Sequence, residues 1–413
     1  MTLARFTHGL GALAAGAALA ALAACGDAAA NETGTVSATG PSLASNPATT
    51  TDCTQATRNP AKVVCLADAF KATLSASQVA TLQLAYTSAN ATAWSNLPVT
   101  AATRIGLKFS SLSATQQAAA LNLAKAALGS AGYAKFNAIR AADAYLGANG
   151  GNGGGGGGAP GDSSGGPPGG GTPPAGGTPP AGGTPPGGGT PGGGGLSYGD
   201  SLYYVSILGT PSTTGAWMLK FDGHHFAVNL HYNGAQAPTA TPHFIGVEPQ
   251  AFTLNGTTYA PLQQRKVYLY QLVNSLNATQ AAAAKLTSSF SDVLLGPGQD
   301  GKFPTRQGLA YSSLSPAQKA LVKSAIAEWV NIQPSNEAST TLAAYYGDAA
   351  LASTSVAWSG SRDSTVQGSY VRIDGPRVWI EFVCQNGIVF PSQIHFHTVW
   401  RDRERDYGGD FTF

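Results

Sequence analysis

Charge is scarce in this chain of 413 residues, since charged residues make up 11% of it and the formal net charge is +2. Proteins that bind nucleic acid need a basic surface that neutralises phosphates, so the composition argues against such a partner. Three enzyme signatures are also missing, namely the Gly-x-Ser-x-Gly elbow, the P-loop and the Gly-rich dinucleotide fingerprint. The sequence therefore gives no support to the enzyme classes that depend on those three motifs.

Cysteine is also rare, with four in the chain and no Cys-x-x-Cys or other zinc-type spacing. The first, Cys25, ends the run Leu22-Ala23-Ala24-Cys25, directly after an apolar stretch too short to span a bilayer as a stable anchor. This run resembles the bacterial lipobox, which implies that residues 1–25 are a signal peptide and that Cys25 is the lipidation site. Cleavage without lipidation is the alternative. Gly26 stands where an aspartate would signal inner-membrane retention, so in a cell with two membranes an outer-membrane anchor facing the periplasm is favoured.

An exported chain meets an oxidising compartment, where disulfides persist. Cys53 and Cys65 close a short loop and are candidates for such a bond. Cys384 lies among apolar residues, so we expect a buried free thiol.

Changes in composition divide the chain into segments. Residues 147–197 combine a polyglycine run with Gly-Gly-Thr-Pro-Pro-Ala repeats and have too little to bury, so we expect a disordered insertion. The other predicted segments are the signal peptide (1–25), a flexible tether (26–60), the helical part of a first repeat (61–146), its strand part (198–266) and a second repeat (267–413).

An internal duplication underlies this division. Capping boxes that begin helices at Ser113 and Ser315 each follow an earlier start of the same kind, at Ser75 and Asn277, by 38 residues. Strand-like motifs around Gly223 and Gly375 lie 152 residues apart. The corresponding helix starts of the two halves, such as Ser113 and Ser315, lie 202 residues apart. The difference of 50 is about the length of the insertion. We therefore predict an α+β fold of two pseudo-symmetric repeats, each a helical pair followed by an antiparallel three-strand meander.

Two of the predicted strands alternate clearly between apolar and polar residues, as a half-buried strand does. The predicted apolar faces consist of His224, Phe226, Val228, Leu230 and Tyr232 in one strand and Val378, Ile380, Phe382 and Cys384 in the other. The opposite faces carry His225, Asn229 and His231 in the first strand and Arg377, Trp379 and Glu381 in the second.

Histidine is concentrated in three short segments, which are Gly223–His225, Pro242–Phe244 and Ile394–His397. His395 and His397 are two residues apart on a predicted strand, so their imidazoles project from one face. Such a pair can hold Zn, Cu or Fe with a third ligand from a neighbouring strand. His225 and Glu381 are the predicted further ligands. Three ligands and an open position would activate water or oxygen.

Glu381, Arg377 and Asp402 are the candidate catalytic residues beside this metal site. Arg377 and Asp402 would orient the imidazoles or bind an anionic substrate. The alternative is that the charged segment 401–410 is only a solvated, salt-bridged turn. The other histidines have plainer interpretations. His224 is expected in the core and His231 at an exposed strand end, while His243 is left open.

Several short sequence motifs together resemble an uncharacterised bacterial family catalogued as domain of unknown function 3500 (DUF3500). The matching motifs are Trp94, Arg104–Leu107, Ala131–Tyr133, Leu202–Val205, Trp217–His225, Thr241–Gly246, Asp374–Pro376, His395–His397, Arg401–Asp402 and Asp406–Gly408. The family name implies no activity, and the insertion departs from the family's pattern.

Two classes of function remain open from sequence. The first is a lipid-anchored exported protein with a histidine metal site, acting as a metal-dependent hydrolase or oxidoreductase on a small molecule. The alternative is a non-enzymatic protein that binds a metal or small ligand, or a structural protein of the cell envelope.

Overall fold

The computed structural model describes Cys53, Ala56 and residues 59–151, 196–234 and 236–413. The predicted signal peptide with Cys25, nearly all of the tether and residues 152–195 of the insertion lie outside the described residues. Within them the fold is α+β, as predicted.

Nine α-helices occur in the described part of the chain. They are α1 (Asn59–Ala72), α2 (Ala76–Leu82), α3 (Ser88–Thr92), α4 (Ala114–Leu146), α5 (Gln263–Asn274), α6 (Ala278–Ala284), α7 (Pro316–Val330), α8 (Ser335–Tyr346) and α9 (Asp348–Ala352). The four predicted helix starts are confirmed as complete capping boxes, at Ser75, Ser113, Asn277 and Ser315. In each box a side-chain oxygen accepts from the third helical N–H, and a glutamine there bonds back to the cap, which satisfies two otherwise unpaired donors.

The strands are β1 (Gln83–Leu84), β2 (Leu107–Lys108), β3 (Tyr204–Leu208), β4 (Ala216–Gly223), β5 (Phe226–Asn233), β6 (His243–Val247), β7 (Phe252–Leu254), β8 (Thr257–Tyr259), β9 (Leu309–Ala310), β10 (Ser355–Ser359), β11 (Tyr370–Asp374), β12 (Val378–Asn386) and β13 (Ile394–Asp402). Eleven of them form one sheet in the order β1-β3-β4-β5-β6-β13-β12-β11-β10-β9, with β2 beside β3. Because β6 and β13 pair antiparallel in its middle, strands from both parts of the chain share one sheet.

The principal core lies between the helices and one face of the sheet. The alternation predicted for β5 is confirmed, because Phe226, Val228, Leu230 and Tyr232 all belong to this core. The predicted apolar face of β12 is confirmed in the same way by Val378, Ile380, Phe382 and Cys384.

The opposite face of the sheet carries smaller apolar clusters. Trp379 and Val399 belong to one of them, together with residues from the connecting segments such as Trp94 and Leu295. Side chains of β13 at His395 and His397 point to this face, because residues two apart on a strand share a side with Val399. The connecting segments, rather than the long helices, therefore cover the histidines.

The strand registers differ between the two parts of the sheet. In the β5–β6 pair Phe226 lies opposite Ile245. At the same offset of 152 residues an equal register would place Val378 opposite His397, but Val378 lies opposite Asp402, five residues further on. Because side chains alternate along a strand, this shift by an odd number of residues places the residues of β13 on the opposite face of the sheet from their counterparts in β6.

Cysteine chemistry is divided between a bond and a free thiol. Cys53 and Cys65 form a disulfide that ties the segment before α1 to that helix. The prediction for Cys384 is confirmed, since it is a buried free cysteine. Among the described residues, no helix is both long enough and apolar enough to cross a bilayer.

Candidate metal centre

Three histidines from distant parts of the chain meet at one point. The Nε2 atom of His397 lies 3.1 Å from Nε2 of His225 and 3.3 Å from Nε2 of His395. All three side chains are buried. They form a group whose nitrogen atoms could hold a metal ion.

His225 reaches this point from a tight turn. It follows His224 between β4 and β5, where Gly223 pairs with Phe226. Its φ of 59° lies in the left-handed region, which residues other than glycine seldom adopt. Its backbone is held on both sides, because its N–H donates to Asn96 (3.2 Å) and its carbonyl accepts from Gly246 (2.8 Å). The prediction that His224 and His225 begin the middle strand is therefore wrong.

The two histidines of β13 are oriented by their outer nitrogens. Nδ1 of His395 lies 2.8 Å from the carbonyl oxygen of Asn386, so it must donate. Nδ1 of His397 lies 2.8 Å from Oδ1 of Asp292 and donates to that carboxylate. A neutral imidazole that donates through Nδ1 carries its lone pair on Nε2. Both lone pairs therefore face the shared point, as in metal sites where an outer acceptor fixes the tautomer.

The nitrogen spacing fits a small tetrahedral ion. With Zn–N bonds of about 2.0–2.1 Å, the edge of a tetrahedron is about 3.3 Å. The observed separations are 3.1 and 3.3 Å. Without an ion between them, Nε2 lone pairs at this distance repel one another unless a proton is shared. A cation bound by three nitrogens removes that repulsion.

A glycine makes room for two of the rings. Gly246 on β6 lies directly opposite His397 on β13. A Cβ atom added to Gly246 would lie 2.9 Å from Cδ2 of both His225 and His397. Real Cβ atoms are rarely that close to other atoms, so only glycine lets the imidazoles meet across β6.

Burial favours the neutral form of two of the histidines, His225 and His395. Desolvation, with the neighbouring histidines as a further cause, lowers the pKa of His225 well below its usual value and that of His395 to about 3. Burial alone would raise the pKa of Asp292, but its hydrogen bond and charge interaction with His397 outweigh this and lower it. Neutral imidazole is the form that binds metal, and an ionised carboxylate behind it strengthens the ligand.

A buried acid holds the neighbouring histidine in place. Nδ1 of His224 lies 2.7 Å from Asp143 of α4, whose other oxygen accepts from Tyr203 at 2.9 Å. The rings of His224 and His225 stack with centroids 3.7 Å apart. Asp143, His224 and His225 also form a second group with metal-ligand spacing. The Asp143–His224 hydrogen bond nevertheless satisfies both of its members, so we assign His224 to support of the turn.

Glu381 does not join the group, so its predicted role as ligand and catalytic residue needs correction. It lies on the same sheet face as His397, since it is opposite Val399 on β13. Both of its oxygens are fully used, with hydrogen bonds from the Leu294 and Leu295 N–H groups and from the side chains of Tyr370 and Trp379. The carboxylate beside the histidines is Asp292 instead.

Arg377 and Asp402 are also placed away from the histidines, so their predicted catalytic role is not supported. They pair with each other at 2.6 Å, and Asp402 also accepts from Tyr345. Asp402 is five residues beyond His397 on β13, which is roughly 17 Å along a strand. An odd separation also puts the two side chains on opposite faces.

The two remaining histidines are buried outside the group. His231 was expected at an exposed strand end, but it is fully buried with Nε2 2.9 Å from Asp410, so that prediction is wrong. His243 faces the helix-covered core, where Nδ1 donates to the Ala227 carbonyl at 3.0 Å. Burial and the charge of Arg265 lower its pKa to about 3.

Sequence reasoning missed Asp143 and Asp292. Asp143 carries a signal, because it is an acid within an otherwise apolar stretch of a long helix. Asp292 stands in an irregular connection between α6 and β9, where no periodicity marks it.

The comparisons with known proteins agree with the resemblance drawn from the motifs. The model of the family described as a protein of unknown function (DUF3500) matches residues 56–409. The chain belongs to this family. No curated protein and no solved structure matches it. All three residues of the histidine group lie within the matched region.

Proposed function

We propose that this DUF3500 protein binds one transition-metal ion, Zn, Cu or Fe, through Nε2 of His225, His395 and His397. The observation that carries the proposal is the convergence of these three nitrogens, with Nε2 of His397 at 3.1 and 3.3 Å from the other two, while the outer nitrogens of the β13 histidines are held by acceptors. Structural histidines in a core normally spend their nitrogens on hydrogen bonds to carbonyls or carboxylates. Each of these three instead directs its Nε2 atom at another imidazole.

The activity that we infer is a metal-dependent hydrolase or oxidoreductase acting on a small molecule. Three protein ligands leave a coordination position free for water, oxygen or substrate, and a bound ion lowers the pKa of its water or polarises a substrate oxygen. Asp292 stands at the edge of this site, with its side chain 48% exposed while the His397 side chain is 8% exposed. A polar group behind the metal and next to solvent suits a site that exchanges ligands.

A non-enzymatic metal-binding protein is the second candidate. The burial of all three imidazoles favours it, because a deeply enclosed ion exchanges its ligands less easily. The metal stoichiometry would be the same in both cases, and turnover with a metal-activated substrate separates them.

The cellular setting is also part of the proposal. We infer that residues 1–25 direct export, that Cys25 carries a lipid, and that the body faces the periplasm from the outer membrane. The disulfide between Cys53 and Cys65 supports an oxidising compartment.

We also infer that the two parts of the sheet derive from one duplicated unit, with residues 147–197 inserted in the first copy. Matching hydrogen bonds support this. Gln78 bonds to Gln116 and Gln280 bonds to Gln318, each across 38 residues.

Metal analysis of the purified full chain tests the proposal. We expect one ion per chain after anaerobic purification with supplied Zn, Cu or Fe, and loss of that ion in His395→Ala and His397→Ala. His243→Gln is the matched control, because it alters a buried histidine outside the group and should leave the metal in place. Circular dichroism would show that each variant is folded. Metal-free wild-type protein under all these conditions would refute the site.

A further inference from the structure

Large hydrophobic side chains are rarely exposed in the described part of the protein. Those exposed by more than about a third are Leu97 (47%), Leu294 (38%), Val366 (43%), Ile388 (65%) and Phe413 (50%). Single exposed hydrophobics are ordinary on protein surfaces. Their location therefore decides whether they indicate a binding surface. Leu97, Leu294 and Ile388 all lie close to the histidine group.

Leu97 lies beside the histidine in the turn. It directly follows Asn96, whose carbonyl accepts from the backbone N–H of His225 at 3.2 Å. Arg104 fixes this segment, since its guanidinium donates to the carbonyls of Ser95 and Leu97 and pairs with Asp222 at 2.8 Å. The backbone that carries the exposed leucine is thus anchored next to the site.

Leu294 lies beside the second histidine. It is two residues after Asp292, which accepts from His397. Because consecutive Cα atoms are 3.8 Å apart, its Cα is within about 7.6 Å of that of Asp292. The Leu294 N–H is anchored on Glu381, so the segment is fixed in place.

Ile388 lies beside the third histidine, in the turn between β12 and β13. It is two residues after Asn386, whose carbonyl accepts from His395. The turn is closed over Glu248, whose Oε1 accepts from the next two backbone N–H groups at 2.7 and 2.9 Å. Three of the segments next to the histidine group, around Asn96, Asp292 and Asn386, therefore each carry one exposed hydrophobic residue.

The two remaining exposed hydrophobics show no such relation. Val366 lies in the turn before β11, where its N–H donates to Asp363 at 3.2 Å. Phe413 is the last residue of the chain and packs on Tyr407 with ring centroids 5.7 Å apart.

We propose that Leu97, Leu294 and Ile388 form an apolar rim around the histidine site and that the ligand of this site is an amphiphile. Its polar group reaches the metal, and its alkyl or aryl group rests on the apolar rim, where covering hydrophobic surface is favourable. This inference rests on the proposed metal site. It adds the chemical class of the ligand, which the histidines themselves do not specify.

A series of alkyl hydroxamates tests the apolar rim on the metal-loaded full chain. The hydroxamate group chelates the ion in every member, while the chain grows from acetohydroxamate to octanohydroxamate. Burial of one methylene is worth about four-fold in affinity when complete, so a half-covering rim should tighten binding about two-fold per methylene. Isothermal titration calorimetry gives the dissociation constants.

Two variants distinguish binding to the apolar rim from nonspecific hydrophobic binding. In the triple variant Leu97→Ser, Leu294→Ser, Ile388→Ser we expect acetohydroxamate to bind as before and the gain with chain length to disappear. The control Val366→Ser, Phe413→Ser changes the two distant exposed hydrophobics and should keep the wild-type dependence.

Three outcomes would overturn the inference. Equal affinity for all chain lengths in the wild type would show that the rim contacts no ligand. An equal loss in both variants would show nonspecific binding. A flat series together with loss of binding to phospholipid vesicles in the triple variant would assign these side chains to membrane docking. A chain that holds no metal fails earlier, in the metal analysis, so failure of the site itself is recognised separately.

Discussion

The two ends of strand β13 carry similar numbers of polar side chains but use them in opposite ways. At the C-terminal end, Arg401 donates to the carbonyls of Leu295 and Gly296 and pairs with Asp300 and Asp406. At the N-terminal end, the inner nitrogens of His395 and His397 meet only other imidazoles. A saturated network indicates structure, whereas converging unsatisfied ligand atoms indicate a binding site.

The largest effect that distinguishes the two ends should come from Arg401→Met. Removal of the guanidinium leaves Asp300 and Asp406 without their buried counter-ion, which costs about 3–5 kcal/mol of unfolding free energy. Metal content should not change. Urea unfolding measures the first and elemental analysis the second.

Arg306→Met is the control for that experiment. Arg306 is 35% exposed and lies 3.6 Å from Asp374, so its loss should cost less than about 1 kcal/mol. Loss of metal from folded Arg401→Met protein would contradict the division of β13 into a structural and a binding end.

The next effect concerns the glycine between the rings. Gly246→Ala should lower the unfolding free energy by about 1–3 kcal/mol through overpacking and also weaken metal binding, since both imidazoles must move. Gly199→Ala is matched, because its added Cβ would meet Leu202 at an ordinary 3.6 Å. Unchanged metal affinity in Gly246→Ala would show that the rings have more room than their contacts indicate.

A smaller effect is expected from the carboxylate that orients His397. Asp292→Asn keeps an acceptor for Nδ1 but removes the charge, so metal affinity should fall about 10- to 100-fold. Competition with a chelator of known affinity measures this fall.

Glu381→Gln is the comparison for Asp292→Asn. It alters a buried carboxylate on the same face whose oxygens are all occupied, so it should cost about 1–3 kcal/mol of stability and leave the metal dissociation constant unchanged. A reversed pattern, with metal lost on changing Glu381 but not Asp292, would restore the prediction made from sequence.

The smallest expected effect is the alkylation of the Cys384 thiol in the folded protein. Burial raises the pKa of its thiol to about 12, although its contact with Tyr270 works in the other direction. At pH 8 about one thiol in ten thousand is then ionised, so alkylation should be negligible in folded protein lacking residues 1–25. Mass spectrometry with iodoacetamide should show complete labelling in urea. Rapid labelling of the folded chain would show that this part of the core opens readily.

Local patterns made much of the fold predictable. The capping boxes at Ser113 and Ser315 and the alternation of β5 and β12 depend on neighbouring residues, and the structure contains all of them. The position of His225 in the turn was missed, because the apolar alternation of β5 extends backwards in sequence to His224 without a visible break.

The histidine pair was also predictable, because residues two apart on a strand share a face whatever surrounds them. The carboxylate was not. Sequence placed Glu381 on the correct face, but whether its oxygens are free depends on the Leu294 and Leu295 N–H groups, which come from a segment over 80 residues away. Asp292 is brought in by that same segment.

The five-residue slide between β12 and β13 gives the proposed duplication a route to asymmetry. In β6, His243 faces the helices and serves the core. In β13, the slid register turns the histidine row outward, against the connecting segments. Under the proposed duplication, the copy in β6 would keep the packing role of the shared histidine while the copy in β13 would offer it, as His395, to a ligand. His397 would need a later substitution, because its counterpart is Ile245. Register, rather than substitution, would be the first step in the origin of the site.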